Sequence, residues 1–153
     1  MNTNHVSLRP ASNQDLDFLL KLRLDCMHEH FARVGIVYSK EQHLERINYR
    51  FDTAKIIVKD RQRVGMVKYF RDQDQWIIIQ LQIAPECQCQ GIGSYLVNGI
   101  IEKAEQEGIP VSLSVLKKNP AQHLYKRLGF KVTDEFEHEL SMTWRNNPVM
   151  NSL

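Results

Sequence analysis

"WIIIQLQIAPECQCQGIGSYLVNGIIEKAEQEGIPVSLSVL", residues 76–116, holds the reading on which the fold turns. Trp76–Ile83 is an almost continuous apolar, β-branched run, the pattern of a central strand covered on both faces. Pro85 ends it, and a polar loop with two glycines, Gln88–Gly93, follows. Ile92, Leu96, Val97, Ile100, Ile101 and Ala104 then recur at helical spacing. Gly108 and Pro110 stop that helix. "VSLSVL", Val111–Leu116, is a strand again. Two strands of one sheet joined through a helix need a crossover, so they lie parallel.

Working outward, "AKIIVKD" and "RVGMVKYF" upstream read as strands of a hairpin around the polar turn Asp60–Arg61–Gln62. Before them, Ser39 with Gln42 forms a capping box that opens a helix through Leu44 and Ile47 to about Phe51. Ser12 with Asp15 opens an earlier helix carrying Leu16, Leu19, Leu20 and Leu24. Between the two helices, Cys26–Tyr38 reads as a connection with no assignable conformation. The first strand is short, His5–Arg9, and stops at Pro10. Downstream, a short helix spans about Pro120–Leu128 and ends at Gly129. "FKVT" and the alternating "FEHELSMTW" (Phe136–Trp144) then make a closing hairpin, in which Phe136, His138, Leu140, Met142 and Trp144 share a core-facing side. The order is β α α β β β α β α β β. The expected class is α/β (α+β), with a single mixed, mostly antiparallel sheet flanked by helices. Nothing divides the chain, so residues 1–145 read as one domain and 146–153 as a frayed tail.

With 153 residues, 42% of them hydrophobic and 25% charged, the chain is long enough to bury a full core. Net charge is +2, and the basic residues are interspersed with acidic ones. A nucleic-acid binder concentrates Lys and Arg on one face, which is not the pattern here. No run reaches the ~18–20 apolar residues of a membrane span. The first ten residues have no apolar core of signal-peptide type, and three cysteines suit reduced thiols, so a cytoplasmic location is expected. "HEH" suggests metal, but on a helix His28 and His30 point about 200° apart. Cys87-x-Cys89 lacks zinc-type spacing. No metal is expected.

The loop before the helix matters because a helix N-terminus presents unpaired N–H groups and partial positive charge. An anion placed there collects several hydrogen bonds. The P-loop pattern fails for want of a lysine after Gly93, and the dinucleotide fingerprint fails because Leu96 stands at its third glycine. The pattern [QR]-x-x-G-x-[GA] fits Gln88-Cys89-Gln90-Gly91-Ile92-Gly93. Farther on, "LKKNPAQHLYKRLGF" (Leu116–Phe130) fits N-x-A-x-x-L-Y-x-x-x-G-F through Asn119, Ala121, Leu124, Tyr125, Gly129 and Phe130.

The two motifs, in this order and at this separation, resemble the GNAT superfamily of acyl-CoA-dependent N-acyltransferases over roughly Ala54–Trp144. The resemblance implies acetyl-CoA as acyl donor, in a cleft where the Trp76–Ile83 and Val111–Leu116 strands splay apart. It puts the pyrophosphate on the loop amides, with Gln88, Cys89, Gln90, Gly91, Ile92, Gly93 and Ser94 as cofactor-binding residues. It lays the pantetheine arm along the backbone of Leu81, Gln82 and Ile83 and gives Asn119 a hydrogen bond to that arm. Tyr125 becomes the general acid that protonates the leaving thiolate, a role suited to a phenol with a pKa of about 10. The implied partner is a primary amine, on a small molecule or on a protein N-terminus or lysine, with no nucleic acid and no membrane. Homodimers are common for the fold and are an expectation of the same kind.

The base is the open element. Trp76–Ile83 contains no acid, where many family members carry a glutamate; Gln80 and Gln82 share one face and neither takes a proton. Asp25, His28, Glu29 and His30 lie in the segment that in this family lines the acceptor side. The missing glutamate supports an alternative, an acyl-CoA-binding sensor with this fold and little turnover, and Tyr125 speaks against it.

Overall fold

The computed structural model describes residues 5–33, 35 and 37–146, apart from the side chains of residues 27–33. Its strands are β1 (Val6–Pro10), β2 (Ala54–Lys59), β3 (Gln62–Asp72), β4 (Gln75–Ile83), β5 (Val111–Leu116), β6 (Lys131–Glu135) and β7 (Glu139–Trp144). Its α-helices are α1 (Leu16–Arg33), α2 (Lys40–Asn48), α3 (Ile92–Glu107) and α4 (Ala121–Arg127). The seven strands form one mixed sheet in the order β1-β2-β3-β4-β5-β7-β6. β4 and β5 pair in parallel, Trp76↔Val111 to Ile78↔Leu113, as the crossover requires. The outer pairs β1–β2, β2–β3, β5–β7 and β6–β7 are antiparallel.

The chain gathers into two compact units. The first holds the described residues up to Tyr69 together with Ile79–Gly93. Its core is Leu19, Leu22, Ile47, Ala54, Ile56, Met66 and Ala84. The β2–β3 hairpin turns on Asp60 and Arg61, both at positive φ (51° and 69°), which matches the right-handed twist of paired strands. Asp15 opens α1: its carboxylate accepts from the Ser12 N–H at 2.9 Å and is paired with Arg9 and Arg63. Those partners hold it far below the usual carboxylate range, the Arg9 bond being the largest cause.

The second unit holds Phe70–Ile78 and the described residues from Ser94. There Leu96, Val97, Ile100, Ile101 and Ala104 of α3 are all buried, as are Val111, Leu113 and Val115 of β5. Glu107 at the end of α3 accepts from Arg71 Nε at 2.6 Å and from Trp76 Nε1 at 2.7 Å.

Four expectations are corrected. α1 does not stop near Leu24 but runs to Arg33, through half of the Cys26–Tyr38 connection; no Gly or Pro interrupts it before Gly35, which has φ +81°. α2 ends at Asn48, short of Phe51. β4 is central in the sheet, yet only Ile78 and Gln82 along it are buried. Phe136 lies outside β7 and is 57% exposed, because its N–H closes a turn onto the Glu139 carbonyl at 2.8 Å. The tail from residue 147 lies outside the described residues.

Candidate active site

In the first unit, β4 ends at Ile83, a short 3-10 turn runs Pro85–Cys87, and the loop reaches α3 at Ile92. Cys89 (φ 63°) and Gly91 (φ 80°) are both in the left-handed region. For Gly91 this conformation costs nothing; for Cys89 it is strained. The loop leads directly into the 16-residue helix α3, whose first N–H groups have no intrahelical partner. Cys89 and Gln88 are exposed, while Gln90, Gly91, Gly93 and Ser94 are half-buried and Ile92 is buried. Lys59 Nζ donates to Gln90 Oε1 at 3.2 Å, which brings a cation to the same loop. The Gln88 side chain takes a different path: Nε2 donates back to the Ile83 carbonyl at 2.9 Å.

At its start, β4 pairs with β5 in parallel from Trp76↔Val111 to Ile78↔Leu113. Leu81 and Ile83 are half-buried. Gln82 is 6% exposed, and among the described residues its side-chain amide has no hydrogen-bond partner. A buried amide without a partner is costly, so in native proteins it marks a place for water or a ligand.

In the second unit the Asn119–Phe130 segment forms a turn and α4. Asn119 Oδ1 accepts from the N–H of Ala121, the first residue of α4, at 2.9 Å, and among the described residues its amide nitrogen has no partner. Tyr125 is 6% exposed and stacks edge-on with Phe130, ring centroids 5.6 Å apart. Its hydroxyl also lacks a hydrogen bond among the described residues. Burial pushes its pKa up to about 12, so the phenol stays a proton donor throughout the neutral range. Gly129, at φ +102°, lets the chain leave α4 close to Trp144, whose Cδ1 would be 3.2 Å from an added Cβ.

Of the candidate bases, Asp25 is paired with Lys21 at 2.6 Å. The side chains of His28, Glu29 and His30 lie outside the described residues. No group of three or more His, Cys, Asp or Glu able to hold a metal occurs among the described residues.

Two buried polar contacts escaped the sequence reading. Lys68 on β3 is fully buried and donates to the carbonyls of Arg46, Ile47 and Tyr49 at 3.0, 2.7 and 2.6 Å. It thereby holds the C-terminal end of α2, and burial pulls its pKa down to about 8. Its signal was present: Lys68 shares a strand face with Val64 and Met66, both buried. The second is Arg23, whose Nε donates to His43 Nδ1 at 2.9 Å, with both residues buried. This bond ties α1 to α2, and no spacing rule would have linked residues on separate helices.

A mixed seven-stranded sheet flanked by four helices is the fold of the acyl-CoA N-acyltransferases. The chain belongs to the acetyltransferase (GNAT) family, whose sequence model matches residues 16–130. No curated protein is similar in sequence at a significant level. Solved structures share the fold at low identity. The PaiA N-acetyltransferase of Thermoplasma acidophilum, solved with coenzyme A, is 19% identical, with 92% of this chain and 99% of that one covered and a TM-score of 0.71. An acetyltransferase of Thermus thermophilus is 16% identical over 95% and 100% of the two chains, TM-score 0.72. Naa50 of Arabidopsis thaliana, solved with a bisubstrate analogue, is 18% identical over 93% and 99%, TM-score 0.64.

Proposed function

We propose that this protein transfers the acetyl group of acetyl-CoA directly to a primary amine. The observation that carries the reading is Tyr125: a buried phenol whose hydroxyl has no hydrogen bond among the described residues, kept protonated by its surroundings, at the tyrosine of the family's second motif. In the reaction, the neutral amine nitrogen bonds to the thioester carbonyl carbon and the carbonyl electrons move onto oxygen. The tetrahedral species then collapses and the C–S bond breaks; the thiolate takes the Tyr125 proton, and the proton shed by the amine nitrogen passes through solvent and restores the phenol. An N–H near the end of β4 would serve the oxyanion. The amides of Cys89–Ser94 would take the pyrophosphate, Asn119 would bond the pantetheine arm through its free amide nitrogen, and the arm would lie along Leu81–Ile83. The neighbour solved with a bisubstrate analogue and the one solved with coenzyme A support an acyl-CoA donor and an amine acceptor.

The sequence of β4 favours one competing reading. It carries no carboxylate to act as base, which suits a protein that binds acyl-CoA and reports on it. Calorimetric titration with acetyl-CoA, followed by thiol release against a panel of small amines and peptide N-termini, separates the readings. Binding with turnover supports the transferase. Binding without turnover on the whole panel favours the sensor, and no binding removes both.

A further inference from the structure

The peptide between Ile83 and Ala84 is held on both sides. Its carbonyl accepts the Cys26 thiol at 3.0 Å and Gln88 Nε2 at 2.9 Å, which uses both oxygen lone pairs. Its N–H donates to the Val64 carbonyl at 2.8 Å. The three partners come from α1, the Gln88–Gly93 loop and β3. Gly65 explains how β3 comes so near, because an added Cβ would collide with the Gln82 carbonyl and lie 3.2 Å from Ile83 Cα. Cys26 stands 57 residues from Ile83 in the chain, and burial pushes its thiol up to about 11, so it remains an S–H donor. Gln88 is exposed and free to turn outward, yet its amide is directed back at the strand.

We propose that Gln88 and Cys26 are positioning residues for the acyl donor. Together they fix the direction of the Ile83–Ala84 peptide, and with it the backbone groups of Leu81–Ile83 that would pair with the pantetheine arm. The pyrophosphate is then left to backbone amides, and the Gln88 side chain acts on the strand. This rests on the acyl-CoA reading given above.

A calorimetric double-mutant cycle tests it, using Gln88→Leu, Cys26→Ala and the double variant. The ligands are CoA and its pyrophosphate-bearing half, 3′-phospho-ADP. Each single variant should weaken CoA about three- to ten-fold, the scale of one hydrogen bond. The double variant should lose far more than the product, because the carbonyl then has no donor at all. Affinity for 3′-phospho-ADP should stay within about two-fold of wild type throughout. Cys26→Ser, which keeps a donor, should recover most of the CoA affinity. Independent effects, with Gln88→Leu weakening both ligands alike, would make Gln88 a phosphate ligand and overturn the proposal. A Cys26→Ser variant as weak as Cys26→Ala, with an equally lowered melting temperature, would overturn it too, by reducing Cys26 to packing. If the wild-type protein binds no CoA, the acyl-CoA reading itself fails, and that is known before any variant is made.

Discussion

Lys68 in the first unit and Tyr125 in the second are both buried polar side chains, one on a strand and one on a short helix. Lys68 directs its ammonium at three carbonyls at the end of α2, so its hydrogen-bonding capacity is met within the fold. Tyr125 buries a hydroxyl that no described residue meets. The first residue holds the scaffold; on the proposed reading the second serves the reaction, and unmet hydrogen-bonding capacity then marks function better than burial does.

The largest expected effect tests the second half of that contrast. Tyr125→Phe should lower kcat about 10²- to 10⁴-fold, the usual size of general-acid catalysis. Affinity for CoA and the melting temperature should barely change, since no hydrogen bond to a described residue is lost. Loss of stability with activity intact would instead place Tyr125 in the same class as Lys68.

Next comes Lys68→Met, which leaves three carbonyls without their donor. It should cost about 2–4 kcal/mol in urea denaturation. The native pKa of Lys68, about 8, lies below the ordinary 10.5 of the unfolded chain. Between those values the unfolded state binds more protons, so wild-type stability should rise with pH across that window through this group. The variant should lack that rise. A variant as stable as wild type would break the comparison from the other side.

Asp15 adds a third case, buried and fully partnered like Lys68. Its lowered pKa means that its contribution is complete above about pH 4 and is lost as pH falls toward the native value. Asp15→Asn should cost about 1–3 kcal/mol at neutral pH and flatten the acid limb of the stability profile. The smallest effect belongs to Gln82, whose side-chain amide, like the Tyr125 hydroxyl, has no hydrogen bond among the described residues. Gln82→Met should leave stability unchanged or raise it by up to about 1 kcal/mol, while altering turnover. A destabilised Gln82→Met would show that its amide is already satisfied in the free protein.

Features carried by local pattern were legible in advance. The spacing of Ile92–Ala104, the stop at Gly108, the turn at Asp60–Arg61 and the parallel crossover all follow from periodicity and turn chemistry within short windows. The same holds for both motifs and hence for the candidate loop and Tyr125. α1 was read too short because its second half, from Cys26, shows no apolar stripe, although nothing in it breaks a helix. Phe136 was misplaced because strand alternation was extended through what is a turn.

By itself, then, the sequence determined the order of elements, the parallel pairing and the two motifs, because each depends on neighbours within a turn or a strand. Only the tertiary structure decided that Gln88 turns to Ile83, that Cys26 meets the same carbonyl, that Lys68 closes α2 and that the Tyr125 hydroxyl has no hydrogen bond among the described residues. Those outcomes depend on which distant groups packing brings within about 3 Å of one another, a distance at which a polar group is either satisfied or left open.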